Sequence, residues 1–136
     1  MTCFPPKTVV ALAFITFLLA RCDPNTYQEG ERLYRVHCAN CHLDEGQGLG
    51  ALIPPLVGAD DYLQTNRDRL PCILKYGLQD TITVRDIRYA EAMPGVPTLS
   101  AVQITNILNF VNTNWGNQLP VYQLDEVRHM LGNCPK

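Results

Sequence analysis

Cys38-Ala39-Asn40-Cys41-His42 sets two thiols three residues apart, with an imidazole directly after the second. On a helical turn residues three apart share a face, so both sulfurs can reach the two vinyl groups of one porphyrin and form thioethers. The adjacent histidine then lies under the iron. With 6 cysteines and 3 histidines in 136 residues, chance placement gives roughly 0.006 such strings. Two other chemistries use a CxxC pair. A structural zinc site needs a second Cys or His pair at ligand spacing, and Cys72 and Cys134 stand alone. A redox dithiol needs a βαβ setting, which the surrounding sequence lacks. A covalent haem, one per chain, is the expectation.

Upstream of the motif, Thr26 with Glu29 reads as a capping box, and Tyr27, Gly30, Tyr34, Cys38 and Cys41 recur at spacings of three or four. This predicts a helix leading into the cysteine pair. Downstream, Asp44 to Gly50 is too rich in glycine and charge for a regular element, and Pro54 and Pro55 prolong a loop to Gly58. Short helices are expected over Asp60 to Thr65 and Asp68 to Tyr76, with Pro71 tolerated in a first turn and Gly77 as the stop. Thr81 to Val84 and Ile87 to Tyr89, around Arg85 and Asp86, read as a small hairpin. Ser100 with Gln103 forms another capping box, followed by Val102, Ile104, Ile107, Leu108 and Val111 at helical spacing up to Gly116. Leu124, Val127 and Leu131 mark a last helix.

The sixth position on the iron calls for a ligand far downstream, where the chain can return over the other face of the ring. Met93, in Met93-Pro94-Gly95, lies 51 residues after His42 in a segment without helical period. Most methionines are core thioethers, but Met130 sits in the last helix and Met1 belongs to the leader. His37 and His129 are the imidazole alternatives, and His37 shares the helical turn of the attachment site. Histidine and methionine together leave no open position, and thioether sulfur raises the reduction potential. Leu52, Ile53 and Leu56 are expected as an apolar wall.

The bulk properties suit one domain. The apolar fraction of 46% can fill one modest core, and a net charge of −2 offers no basic stripe for nucleic acid. At the front, Lys7 precedes twelve residues, Val9 to Ala20, that are apolar except for Thr16. That length fits a secretory leader; a membrane-spanning helix needs roughly 20 apolar residues. Residues 1–21 are therefore expected to be a signal peptide, and 22–136 one domain with an extension from about residue 120. Leu19-Ala20-Arg21-Cys22 has the outline of a lipoprotein processing box, although Arg21 is large and charged where a small residue is usual. Lipidation of Cys22, giving a membrane tether, and ordinary cleavage near Ala20 both stay open.

From Thr26 to about Gly116 the sequence resembles the class I cytochrome c family. Cys38, Cys41 and His42 match its attachment motif and Met93 its distal ligand. Gly30 and Tyr34 match the positions where the family's first helix crosses its last, and Ile107 and Phe110 look like the answering pair. By this resemblance the carbonyl of Pro54 accepts a hydrogen bond from His42. Trp115-Gly116-Asn117 resembles the helix end of small bacterial monohaem cytochromes that partner, or are fused to, oxidases and nitrite reductases. The implied fold is all-α, with N- and C-terminal helices crossing around the haem, a small hairpin and an extra C-terminal helix.

The implied function is one-electron transfer in an exported, periplasmic respiratory chain. The chain would be no enzyme, a monomer, with an oxidase, reductase or dehydrogenase as partner. The rival is a haem peroxidase or gas-binding protein with an open sixth position, which a high-spin ferric spectrum would reveal. The segment after Pro120, Cys72 and Cys134 depart from the family pattern. With Cys38 and Cys41 on haem, Cys3 in the leader and Cys22 at its end, Cys72 and Cys134 are left as a pair. A disulfide between them is expected, with two free thiols as the alternative. Arg67, Arg69, Arg88, Tyr76, Tyr89 and Trp115 could each donate to a haem propionate or simply be solvated or packed.

Overall fold

The computed structural model describes residues 27–135. The leader 1–21, Cys22 and Thr26 lie outside that range. Among the described residues there are six helices: α1 (Gln28–His37), α2 (Ala39–His42), α3 (Asp60–Thr65), α4 (Leu70–Tyr76), α5 (Ala101–Thr113) and α6 (Leu124–Gly132). Four short strands complete the set: β1 (Gly77–Leu78), β2 (Ile82–Val84), β3 (Ile87–Tyr89) and β4 (Met93–Pro94).

The helix α1 starts one residue later than a Thr26 cap requires. Its N-cap is Tyr27, without a side-chain cap. Glu29 is thereby placed at the second helical position, one short of where a side chain can reach back to close the box. It instead grips Arg32 through two bonds of 2.8 and 2.7 Å. The expected box at Ser100 is present: its Oγ accepts from Gln103 N–H, and Gln103 Oε1 accepts from Ser100 N–H at 2.9 Å. From that start α5 buries Ile104, Ile107, Leu108 and Val111, while Val102 stays 47% exposed on the outer side.

α1 crosses α5 at Gly30. A methyl group there would meet the carbonyl oxygen of Asn106 and lie 2.8 Å from Phe110 Cβ, so the two backbones approach as only glycine allows. Tyr34 packs on Phe110 at 5.4 Å between ring centroids and on Trp115 at 5.1 Å, and its hydroxyl donates to the Leu43 carbonyl at 2.7 Å. The residues answering Gly30 are thus Asn106 and Phe110, whereas Ile107 faces the interior cleft. Gly30→Ala is expected to cost about 1–3 kcal/mol, the usual range for overpacking. A lower urea midpoint at unchanged slope would register it.

Asn66 to Arg69 form turns rather than helix, with Arg69 N–H on the Asn66 carbonyl at 2.8 Å, and α4 begins at Leu70. Pro71 falls in its first turn and Gly77, at φ +87°, ends it. The hairpin β2–β3 pairs Ile82 with Tyr89 and Val84 with Ile87. Its two turn residues, Arg85 and Asp86, both adopt positive φ (50° and 64°), as a two-residue hairpin demands even where glycine is absent.

A second antiparallel pair leaves no alternation in the sequence. β1 joins β4 with Gly77 opposite Pro94 and Leu78 opposite Met93. A Cβ on Gly77 would lie 2.6 Å from the Met93 carbonyl oxygen, so this approach also needs glycine.

The C-terminal segment is fastened to the body at several points. Asn117 is buried; its Nδ2 donates to the carbonyls of Leu56 and Val111, and its Oδ1 accepts from Gly58 N–H. Arg67 donates to both carboxylate oxygens of Glu126 and to the carbonyls of Pro120 and Val121, while its guanidinium stacks 3.8 Å above the Tyr122 ring. Val127 of α6 is wholly buried. Cys72 and Cys134 are joined in a disulfide, which closes α6 onto α4.

Candidate haem-binding site

α1 ends at Cys38, whose N–H still bonds the Tyr34 carbonyl, and the single turn α2 carries the chain through Cys41 to His42. Leu43, at φ +63°, then turns the backbone away. Cys38 is half-buried and Cys41 exposed, and neither takes part in a disulfide.

His42 is buried, and its Nδ1–H donates to the Pro54 carbonyl at 3.0 Å. The carbonyl can only accept, so the tautomer is fixed and Nε2 keeps its lone pair. Burial lowers the imidazole pKa and the Pro54 bond partly opposes this, which favours the neutral, ligating form.

Cys38, His42, Pro54 and Met93 line one apolar cleft, with about 720 Å³ of empty space including its open mouth. Cys41 joins His42, Pro54 and Met93 around the adjoining part of the space. Two thiols on one turn, a neutral imidazole with one nitrogen already tied, and a thioether in the same apolar cleft fit a covalently attached porphyrin.

The cleft's walls differ in part from expectation. Leu56 and Ile53 line it, but Leu52 is 58% exposed and outside it, because the Leu49–Ile53 bridge turns Leu52 outward. Most of the wall comes instead from Leu63, Leu70, Ile73, Leu78, Ile82 and Val84. Leu70 and Ile73 carry a helical spacing that the sequence displays; Leu78 and Ile82 sit on strands too short to leave a period. His37 is exposed and lines neither part of the cleft, and His129 and Met130 of α6 border a separate surface groove. Among the residues left unassigned, Arg67 is committed to α6, Trp115 closes the aromatic cluster with Tyr34 and Phe110, and Tyr76 is exposed.

Residues 25–111 match the family model described as cytochrome c oxidase, cbb3-type, subunit III. The chain belongs to the cytochrome c family. Its cofactor is accordingly a covalently bound haem c. A cytochrome c-552 of Thermus thermophilus is 34% identical over 92 residues, which are 65% of this chain and 70% of that protein. For the cytochrome c-552 of a second strain of that organism, also 34% identical, the share of that protein is 62%. A quinone alcohol dehydrogenase cytochrome c subunit of Gluconacetobacter polyoxogenes is 35% identical over 94 residues, 67% of this chain but only 19% of that subunit. The segment carrying α6 and Cys134 lies beyond the family match. No helix among the described residues of this cytochrome is long and apolar enough to cross a membrane.

Proposed function

We propose that this cytochrome carries single electrons on a haem held by thioethers from Cys38 and Cys41, with His42 and Met93 as the axial ligands. One observation supports the reading above the others: His42, its Nδ1 tied to Pro54, lines the same apolar cleft as Cys38 and Met93. Bound haem supplies an iron that cycles between ferrous and ferric states. The protein's share is to fix the imidazole through Pro54, to close the other side with a thioether and to exclude water with the leucines of α3 and α4. The thioether favours the reduced state over bis-histidine ligation, while the bond to Pro54 holds the imidazole's tautomer and orientation.

Residues 22–136 would form one domain acting as an exported electron carrier, with residues from about 120 as an appended brace. The disulfide suits an oxidising compartment, and mass spectrometry of the mature protein distinguishes a lipidated Cys22 from simple cleavage. A dehydrogenase or oxidase is the partner class that the relatives suggest. The test is direct: after denaturation in detergent the pigment should stay with the polypeptide, and the native ferric protein should be low-spin. Pigment that washes away, or a high-spin ferric spectrum, would overturn the attachment or the Met93 ligation respectively.

A further inference from the structure

The carbonyl that orients His42 sits on a segment ill-equipped to hold itself. Pro54 and Pro55 have no N–H groups, so neither can be pegged by an amide of its own. The chain regains a donor only at Leu56, whose N–H, with that of Val57, bonds the Gly46 carbonyl at 2.7 and 3.1 Å and closes the loop at its base. On the outgoing side one side chain takes both the Leu56 carbonyl and the Gly58 N–H. Asn117 Nδ2 donates to the former at 3.1 Å, and its Oδ1 accepts from the latter at 3.0 Å. The second Nδ2 hydrogen goes to the Val111 carbonyl of α5 at 2.9 Å. Resting on the haem reading above, we propose that Asn117 is a positioning residue for the axial histidine: it ties the Pro54 loop to α5 and thereby holds the Pro54 carbonyl on His42 Nδ1–H.

The turn after α5 delivers this side chain. Trp115 (φ +54°) and Gly116 (φ +87°) both adopt left-handed backbone, uncommon for a residue as bulky as tryptophan. The reversal is closed by Asn117 N–H on the Asn114 carbonyl at 2.9 Å. The indole then lies against Gly46, where a Cβ would come within 2.7 Å of Cζ3. The residues on either side of Gly116 therefore grip the two ends of one loop.

The three partners of Asn117 settle which way its amide faces, since the carbonyls of Leu56 and Val111 only accept and the Gly58 amide only donates. Asparagine supplies two donors and one acceptor at this reach; glutamine is a methylene longer, and ionised aspartate has no donor. Asn117 is buried, and it is the only partner of the Leu56 carbonyl and the Gly58 N–H among the described residues, so its loss leaves both unsatisfied. Inside the loop, Gly48 N–H bonds the His42 carbonyl at 3.0 Å, and a Cβ on Gly48 would run into the Ile53 carbonyl and Pro54. Packing this close passes a displacement at Leu56 on to Pro54.

The experiment uses the full haem-loaded protein in its ferrous, diamagnetic state. It follows exchange of the His42 Nδ1 proton with deuterium by nuclear magnetic resonance, together with the reduction equilibrium. Asn117→Ala should speed that exchange about tenfold while the haem stays attached and low-spin. A slackened Pro54 bond makes the imidazole less basic, so the ferrous-to-ferric ratio at fixed solution potential should rise about twofold to fivefold. Asn109→Ala is the control. Asn109 is also buried and exchanges bonds of 3.0 and 2.6 Å with the Tyr122 backbone, but it bonds no residue of the Pro54 loop. It should lower the urea midpoint and leave the Nδ1 proton and the ratio unmoved. If Asn117→Ala does not accumulate as folded protein, Asn117→Ser carries the readout, since its hydroxyl is too short to span the three partners. An attached, low-spin haem whose Nδ1 proton exchanges at the parent rate in the Asn117 variant, or equally fast in Asn109→Ala, overturns this proposal alone. Absence of attached pigment in the unaltered protein overturns the haem reading and this proposal with it.

Discussion

Met93→Ala is expected to leave the pigment on the chain while opening one side of the iron. Cys38 and Cys41 are untouched by the substitution, and the backbone of residue 93 keeps its place opposite Leu78 in the β1–β4 pair. What disappears is the thioether. The ferric protein should lose the weak near-infrared band of sulfur ligation and become high-spin, or bind added imidazole or cyanide that the unaltered protein refuses. The reduction potential should fall on the order of 0.1 V, a modest part of the range over which axial ligands set haem potentials. An unchanged ferric spectrum would remove Met93 from the iron.

Cys134→Ser carries the largest expected effect on stability. The bridge to Cys72 closes a loop across a separation of 62 residues, and the chain-entropy account assigns such a loop about 4 kcal/mol. The Arg67–Glu126 pair and the buried Val127 remain in the variant, so α6 should stay docked under native conditions and loosen early in denaturant. The visible spectrum should be unaltered in dilute buffer, because no residue of α6 lines the cleft. The check is a urea titration followed both by haem absorbance and by far-ultraviolet circular dichroism. A midpoint equal to that of the parent would mean that the bridge adds nothing to folding.

Much of this arrangement is legible in the residues themselves. Cys38, Cys41 and His42 announce their chemistry by spacing, α5 by the Ser100–Gln103 box and its apolar period, and the Cys72–Cys134 pairing by what is left once the other cysteines have roles. The Thr26 box misleads because a capping pattern is only four residues long and Tyr27 serves as the cap instead. The β1–β4 pair escapes because two residues per strand leave no alternation to detect; its signal is Gly77 and Gly95, each required by the close backbone rather than by a turn alone. Leu52 misleads for a related reason, since hydrophobicity within a glycine-rich loop does not say which way a side chain faces. The role of Arg67 has no local trace at all. Its partners Pro120, Val121 and Glu126 are more than fifty positions away and meet it only after α6 has docked.

The β1–β4 pair gives the two sides of the proposed iron axis unequal footing. His42 is pinned by the Pro54 loop, whereas the strand bearing Met93 hangs from the tail of α4, where Val96 N–H also bonds the Leu74 carbonyl. Warming that frays this tail would tug on sulfur long before it disturbed the imidazole. Failure would then proceed in order, with the methionine side slackening first and the histidine side surviving until the loop itself melts.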